Sequence, residues 1–554
     1  MAIEVLAHPS SGLHGGFLAS RARFAERPAL DVAGRVLTYA ELFDLAASLA
    51  AVIAPDTTPS APFVGICASR SVTTYAGILG TLMAGRAVVP LNPAFPADRV
   101  RGLIQEAGVE LIVLDHQSAS AFEHVLEGID RTLTCIVPDA ATASELGSRA
   151  PSHRIVDASQ RRGAAPGVFD YRVDADAYAY LFFTSGSTGK PKGVGVLHRN
   201  AEAFVRMSIE RYRECGVDEQ DRFSQFYELS FDSSMFDLYV CWAFGGCLCC
   251  PSAAEWINPN KYIVEKQLTV MDIVPSMGHS MNRKGAWRPG RFPRLKLCRF
   301  GGEALSAELC STLAAAAPNA VVENVYGPTE CTVDACYYRW DRSHSMDECE
   351  HGMVPIGYAG SHVVIRIVND ARDEVGVDSE GELLISGPQV TPGYWHDPEK
   401  TREAFITLPG RSGIHYRTGD LVRRPRTDRP IVFLGRFDHQ IKIAGVRIEL
   451  GEVEMALREA GETDLVVAVG WPLTSSGAAG IVAFLADAKV STDVVFERLR
   501  KKLPNVMVPR EIRMVEALPT NPNGKVDRKA LVAQLKAAPA LNGAAPGSSR
   551  PAGT

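Results

Sequence analysis

Apolar residues along this chain gather in short runs of strand length: PFVGIC at 62–67, ELIVLD at 110–115 and YAYLFFT at 178–184. Longer stretches of helical character, such as TYAGILGTLMAG at 74–85, lie between them. Short continuous apolar runs suit buried strands, so the alternation predicts an α/β fold built in layers. After about residue 434 the texture changes. GRFDHQIKIAGVRIELGEVEMALREA predicts an alternating strand, then a helix with Val453, Ala456, Leu457 and Ala460 on one face. DLVVAVGW and GIVAFLAD follow as strands, and STDVVFERLRKKLP as a helix with Ser491 at its N-cap. The pattern therefore sets apart a small second domain over 439–535. The closing AAPALNGAAPGSSRPAGT has no large apolar anchor, which predicts a disordered tail over 536–554.

Composition narrows the function. The 554 residues are 46% hydrophobic and 22% charged, enough for more than one buried core. A formal net charge of -6 offers no basic field, which excludes nucleic acid as the expected partner. No apolar run reaches the roughly 18 residues of a bilayer span, and MAIEVLAHPSSGLHGG has no basic region ahead of an apolar stretch, so a cytoplasmic protein is expected. Twelve cysteines in so long a chain do not form a disulfide scaffold. The tightest group, CLCC at 247–250, lacks further ligands at metal-site spacing and reads as a buried strand.

Two segments carry chemistry. TSGSTGKPKG at 184–193 leaves an apolar strand with several backbone N–H groups and hydroxyls free, and with Lys190 and Lys192 beside them, a suitable cradle for an anion. It is not a Walker loop, because the glycine spacing differs and proline follows Gly-Lys. The second segment, ENVYGPTECTVD at 323–334, is equally dense in glycine, hydroxyls and charge.

With its companions, this loop resembles the phosphate loop of adenylate-forming enzymes, and the whole chain is similar to an adenylation domain of the nonribosomal peptide synthetase type. The likeness runs in order through LTYAEL at 37–42, LMAGRAVVPLNP at 82–93, FDSS at 231–234 and NVYGPTE at 324–330. It continues through GELLISG at 381–387, YRTGDL at 416–421, GRFDHQIKIAGVRIELGEVE at 435–454, LPNVMVP at 503–509 and NGKVDR at 523–528. The resemblance implies a large ATP- and amino-acid-binding domain of layered α/β subdomains over 1–434, a hinge at 435–438 with Asp438 at its pivot, and a small mobile α+β domain over 439–535.

The same likeness implies site residues. Thr184, Ser185, Gly186, Ser187, Thr188, Gly189 and Lys192 would embrace the phosphates of ATP. Tyr326 would stack on adenine, with Asn324 and Gly327 beside it. Thr329 would touch phosphate, and Glu330 would hold Mg2+ through hard carboxylate oxygens. Asp420 would accept the ribose hydroxyls, flanked by Phe433 and Arg436, and Lys525 would bridge substrate carboxylate and phosphate. Thr184, Lys192, Glu330 and Lys525 are the candidate catalytic residues. Gly445 would line the path of a carrier protein's phosphopantetheine arm. Ala444 stands where many members have arginine.

Adenylation needs no general base, since an amino-acid carboxylate is ionised at neutral pH and is itself the nucleophile. Asp232, in FDSS, matches the family aspartate that pairs with an α-ammonium group; a helix cap is the other role open to it. The side-chain pocket should be lined by Ser233, Phe236, Asp272, Arg299, Gly301, Val325, Val333 and Asp334. If Arg299 pairs with one acid the other is uncompensated, which favours a basic or strongly polar substrate. The competing reading has Arg299 grip an acidic or amide side chain. Neither a Gly-Gly-x-Ser carrier segment nor a His-His-x-x-x-Asp-Gly condensation motif is present. A stand-alone enzyme is therefore expected, serving a carrier protein in trans, with a small helper protein as a further candidate partner. An acyl- or aryl-CoA synthetase is the alternative class.

Overall fold

The computed structural model describes residues 12–54, 62–67, 69–161, 171–186, 190–438, 440–474, 477–519 and 526–537. The strand-length apolar runs at 62–67, 110–115 and 178–184 all form strands of one of two large sheets. A seven-stranded sheet holds Phe63–Cys67, Ala87–Leu91, Leu111–Val113 and Tyr178–Thr184, the last of which turns back as the antiparallel strand Lys192–Leu197. A nine-stranded sheet runs Val270–Ile273, Leu297–Phe300 and Val321–Tyr326 side by side and parallel. The continuous apolar character of Phe63–Cys67, Ala87–Leu91 and Leu111–Val113 follows from burial on both faces, whereas the three strands of the nine-stranded sheet carry Asp272, Arg299 and Glu323. Cys247–Cys250 is a fully buried strand of the same sheet, as its composition predicts.

A third sheet of five strands contains His415–Arg423 and Val432–Arg436. Beyond it the core changes. Val453, Ala456, Leu457 and Ala460 of the helix Leu450–Gly461 pack on the strands Val466–Gly470 and Ile481–Ala486 in a cluster separate from that of the large domain. The helix Thr492–Lys502 begins after Ser491, whose side chain makes no capping hydrogen bond. The last helix, Arg528–Ala537, runs two residues past 535 because Leu531 and Leu535 bury against Val467 and Phe484. Residues 538–554 lie outside the described residues.

Two glycines show how tightly the helices are fitted. A Cβ on Gly80, in the helix Val72–Met83, would stand 2.7 Å from the Ala46 carbonyl oxygen of the helix Tyr39–Ile53. A Cβ on Gly102, in the helix Ala97–Glu106, would meet nothing within 4 Å. Gly80→Ala should therefore lower the thermal midpoint, since overpacking of about 1–3 kcal/mol exceeds the gain in helix propensity. Gly102→Ala should raise it, through propensity alone, by about 0.5–1 kcal/mol. Opposite signs in one thermal-shift series would verify the fit.

Candidate active site

The site lies where the three sheets meet the small domain, in a cavity of about 1090 Å³. At one end Asp420 is buried and doubly engaged. The Tyr326 hydroxyl donates to one carboxylate oxygen and the Arg436 guanidinium to the other. Arg436 also clasps Asp438, at 2.7 and 2.6 Å, and so ties residue 438 to the large domain. The antiparallel register of His415–Arg423 with Val432–Arg436 sets Asp420 opposite Arg436. A Cβ on Gly419 would come within 2.9 Å of the guanidinium.

The loop after Tyr178–Thr184 presents Ser185 and Gly186. It folds back so closely that a Cβ on Gly186 would fall 1.8 Å from the Lys190 carbonyl, which only glycine tolerates. Lys192 sits across from Thr184 in the returning strand. Glu330 is fully buried and accepts from the Tyr394 hydroxyl at 2.8 Å and from Arg447 at 2.9 Å. Burial opposes its charge, yet Arg447, Lys192 and the Tyr394 hydroxyl together pull its carboxyl down to about 2. This anion fits a hard divalent cation, because Mg2+ takes one or two carboxylates and completes its shell with water and substrate phosphate. Among the described residues no group of three or more His, Cys, Asp and Glu forms a metal cage.

The pocket beneath holds the charges expected from sequence, in an arrangement that differs from either reading. Adjacent parallel strands register Asp272 against Arg299. Asp334 arrives from the loop that folds over Gly327, where a Cβ would meet the Val333 carbonyl at 2.2 Å. Arg299 pairs with both acids at once, 3.1 Å from Asp272 and in direct contact with Asp334. Its guanidinium lies over the Phe236 ring, 3.5 Å from the centroid. It thus contacts both acids, where the sequence reading weighs a pairing with one acid against a grip on the substrate, and its Nε and Nη1 make no hydrogen bond among the described residues. Asp272 Oδ1 has no hydrogen-bond partner among the described residues. Burial pushes Asp272 up to about 7 and raises Asp334, while Asp237, behind Asp272, is raised well above the carboxylate range by burial and by Asp272. Asp232 stands at the cavity wall and burial pushes it up to about 6, against a hydrogen bond from Thr329.

Gly302 and Gly445 pack close together on the cavity wall, where a Cβ on Gly302 would stand 3.8 Å from the Gly445 Cα. A Cβ on Gly445, at φ +77°, would strike Val274 Cγ1 at 2.4 Å, and the Gly445 N–H is held by Glu303 Oε1 at 2.7 Å. Met277, Arg283, Val506 and Arg510 line the same cavity.

Thr184, Ser185, Asp232, Ser233, Asp272, Arg299, Gly301, Val325, Tyr326, Gly327, Thr329, Val333, Asp334, Asp420 and Arg436 all line this one cavity. The Asn324 amide nitrogen donates to the Pro355 carbonyl at 2.9 Å, and its buried Oδ1 has no partner among the described residues. Phe433 packs half-buried against the large core. Ser187, Thr188, Gly189 and Lys525 lie outside the described residues. Sequence reading missed Arg447, Glu449, Glu452, Lys442 and Tyr394. The strand Val446–Glu449 held a signal: its alternation puts Arg447 and Glu449 on one face and Val446 and Ile448 on the other.

The profile of the AMP-binding enzyme family matches residues 17–395, and that of the AMP-binding enzyme C-terminal domain residues 452–525. The chain is 33% identical over 535 residues to a linear gramicidin synthase of Brevibacillus parabrevis, covering 94% of this chain and 10% of the relative. It is 33% identical over 530 residues to a plipastatin synthase of Bacillus subtilis, covering 92% and 13%. The chain thus spans only a small part of these synthases. The crystal structure of the Vibrio cholerae adenylation domain AlmE in complex with glycyl-adenosine-5'-phosphate superposes with a TM-score of 0.85 at 29% identity, covering 95% of this chain and 98% of that one.

Arg299 is the sole counter-charge touching Asp272 or Asp334 among the described residues. Arg299→Met should cost roughly 3–5 kcal/mol by stranding buried carboxylate. Adding Asp272→Asn and Asp334→Asn should restore much of the loss. A thermal-shift series over the single and triple variants measures both steps.

Proposed function

The chain belongs to the AMP-binding enzyme family, and from that premise we propose that it activates an α-amino acid with a cationic side chain. Reaction with ATP would give the aminoacyl adenylate and pyrophosphate, and the aminoacyl group would pass to the phosphopantetheine thiol of a carrier protein on a separate chain. The observation that carries the side-chain assignment is the pocket's charge: two carboxylates share one guanidinium, and Asp272 Oδ1 has no partner among the described residues. A buried oxygen of this kind is costly unless a ligand donor meets it, and an ammonium group also cancels the surplus charge. Asp232, on the same cavity, is the proposed partner of the α-ammonium group.

The carboxylate of the substrate attacks the α-phosphorus, and its oxygen displaces pyrophosphate. Lys192 and the N–H of Gly186 neutralise and hold the leaving oxygens, while Asp420 and Tyr326 fix the nucleoside so that attack is in line. Mg2+, held by Glu330 and the phosphates, would supply further neutralisation of that charge. Lys525 is assigned to this first step through the resemblance. In the second step the thiol attacks the acyl carbonyl and AMP leaves. Gly445 of the small domain packs against Gly302 on the cavity wall, and this contact supports the present domain arrangement as the one used for that transfer.

An amino-acid-dependent pyrophosphate–ATP exchange assay over basic, acidic, aromatic and apolar amino acids tests the reading. Exchange is expected with a diamino or guanidino acid, and Asp272→Asn should lower its kcat/KM about 100-fold. Exchange restricted to an acidic or amide amino acid would overturn the side-chain assignment. Acyl transfer to coenzyme A in preference to a carrier thiol would favour the acyl-CoA synthetase class.

The pH dependence carries a sign. With its carboxyl pushed up to about 6 by burial, Asp232 is about nine-tenths anionic at pH 7 and about one-tenth at pH 5. Since the anion pairs with the α-ammonium, kcat/KM for the amino acid should fall about tenfold on acidification through this window. The Asp232→Asn variant should lose this step and keep only the one centred nearer pH 7 that Asp272 gives.

A further inference from the structure

Behind the pocket lies an acid that the reaction as derived does not use. Asp237 belongs to the turn Phe236–Val240, which winds as a π-helix, a rare geometry that recurs at functional sites. Phe236 lies under the Arg299 guanidinium, so one turn carries both the ring that Arg299 rests on and the carboxyl beyond it. Asp237 is 1% exposed, and the Tyr227 N–H faces it without closing a hydrogen bond, so neither of its oxygens has a partner among the described residues. The charges that act on it are those of Asp272, Arg299 and Arg70. Arg70 is engaged elsewhere, donating to Gln225 Oε1 at 2.8 Å and to the Phe226 and Tyr227 carbonyls at 3.1 and 3.2 Å. The phenols of Tyr75 and Tyr227 and the thiols of Cys241 and Cys250, which also face Asp237, are kept neutral by burial. Three buried carboxyl groups, Asp237, Asp272 and Asp334, therefore crowd one guanidinium, and like charges so placed cannot all ionise against a single cation.

Resting on the reading of this pocket as the side-chain site, we propose that Asp237 is a specificity-determining positioning residue that holds a proton in the empty pocket and loses it when a cationic side chain reaches Asp272. The Asp237 O–H bond breaks, its electron pair stays on the carboxylate, and the proton passes to solvent water. Charge is conserved across the step. In the empty pocket Arg299 faces two carboxylates and one neutral carboxyl; in the filled pocket Arg299 and the substrate cation face three carboxylates, and the net charge is the same. A neutral side chain of equal length has no charge to exchange for the proton and leaves Asp272 Oδ1 unmet. Asp272 lines the cavity with Asp237 behind it, so Asp237 acts on the substrate through Asp272.

The test measures binding of L-lysine, L-ornithine and L-arginine to the full chain by calorimetry at about pH 8, in buffers of different ionisation enthalpy, with L-norleucine as the neutral control. At that pH Asp272, pushed up to about 7 by burial, is about nine-tenths anionic, so a whole proton released comes from beyond it. At least one cationic acid should bind with release of about one proton, and its affinity should rise about tenfold per pH unit near pH 8. Folded Asp237→Asn should bind the same acid with neither the release nor the slope, a signature that a merely structural carboxyl would not give. Infrared difference spectroscopy needs no variant: the carbonyl stretch of a protonated carboxyl should vanish when the cationic acid binds and persist with norleucine. Binding without proton release, or with that stretch unchanged, would overturn the inference and leave the pocket reading standing. So would equal release by parent and variant. If none of the three cationic acids binds, the pocket reading falls and takes this inference with it.

Discussion

Among the described residues three ion pairs join the large domain to the small one at the active site. Glu330, Lys192 and Arg99 reach from the large domain; Arg447, Glu449 and Glu452 reach back. Each large-domain member is fixed by backbone that has little freedom. Glu330 is held by its own loop, where Thr391 N–H donates to the Glu330 carbonyl at 3.0 Å. Lys192 begins a strand paired with Thr184. With the hairpin 440–449 docked on these pairs, Gly445 packs against Gly302 on the cavity wall.

The pocket follows another kind of constraint. Parallel register places Asp272, Arg299 and Glu323 in a row across three strands. Glu323 is satisfied by Arg211 and by the Tyr212 hydroxyl at 2.7 Å, so it makes no demand on a substrate. Asp272 and Asp334 must share what is left. Specificity in this reading arises from an incomplete neutralisation that a bound side chain completes.

Much of this was legible in the sequence. YAYLFFT is the strand it resembles, residue for residue, because a buried strand leaves a continuous apolar run and the loop after it keeps its glycine and hydroxyls. Asp232, Tyr326 and Asp420 reach one cavity because motifs in this order carry their backbone with them. The pairing of Arg447 with Glu330, 117 positions apart, left no local trace. Nor did the double duty of Arg299, which depends on a loop folding over Gly327. Asn324 shows the converse. It sits inside a motif, and its nitrogen serves the fold through Pro355 while its Oδ1 is left without a partner among the described residues.

The shared guanidinium of Arg299 also shapes how such a pocket can change over evolutionary time. A substitution at Arg299 removes a whole unit of buried charge and one at Asp272 or Asp334 removes the partner that offsets it, and the intermediate sequence must survive with that imbalance before a second change corrects it. Neutral drift through this site is accordingly slow. Descendants with a new preference would be reached by paired replacements, or through an ancestor stable enough to carry the mismatch.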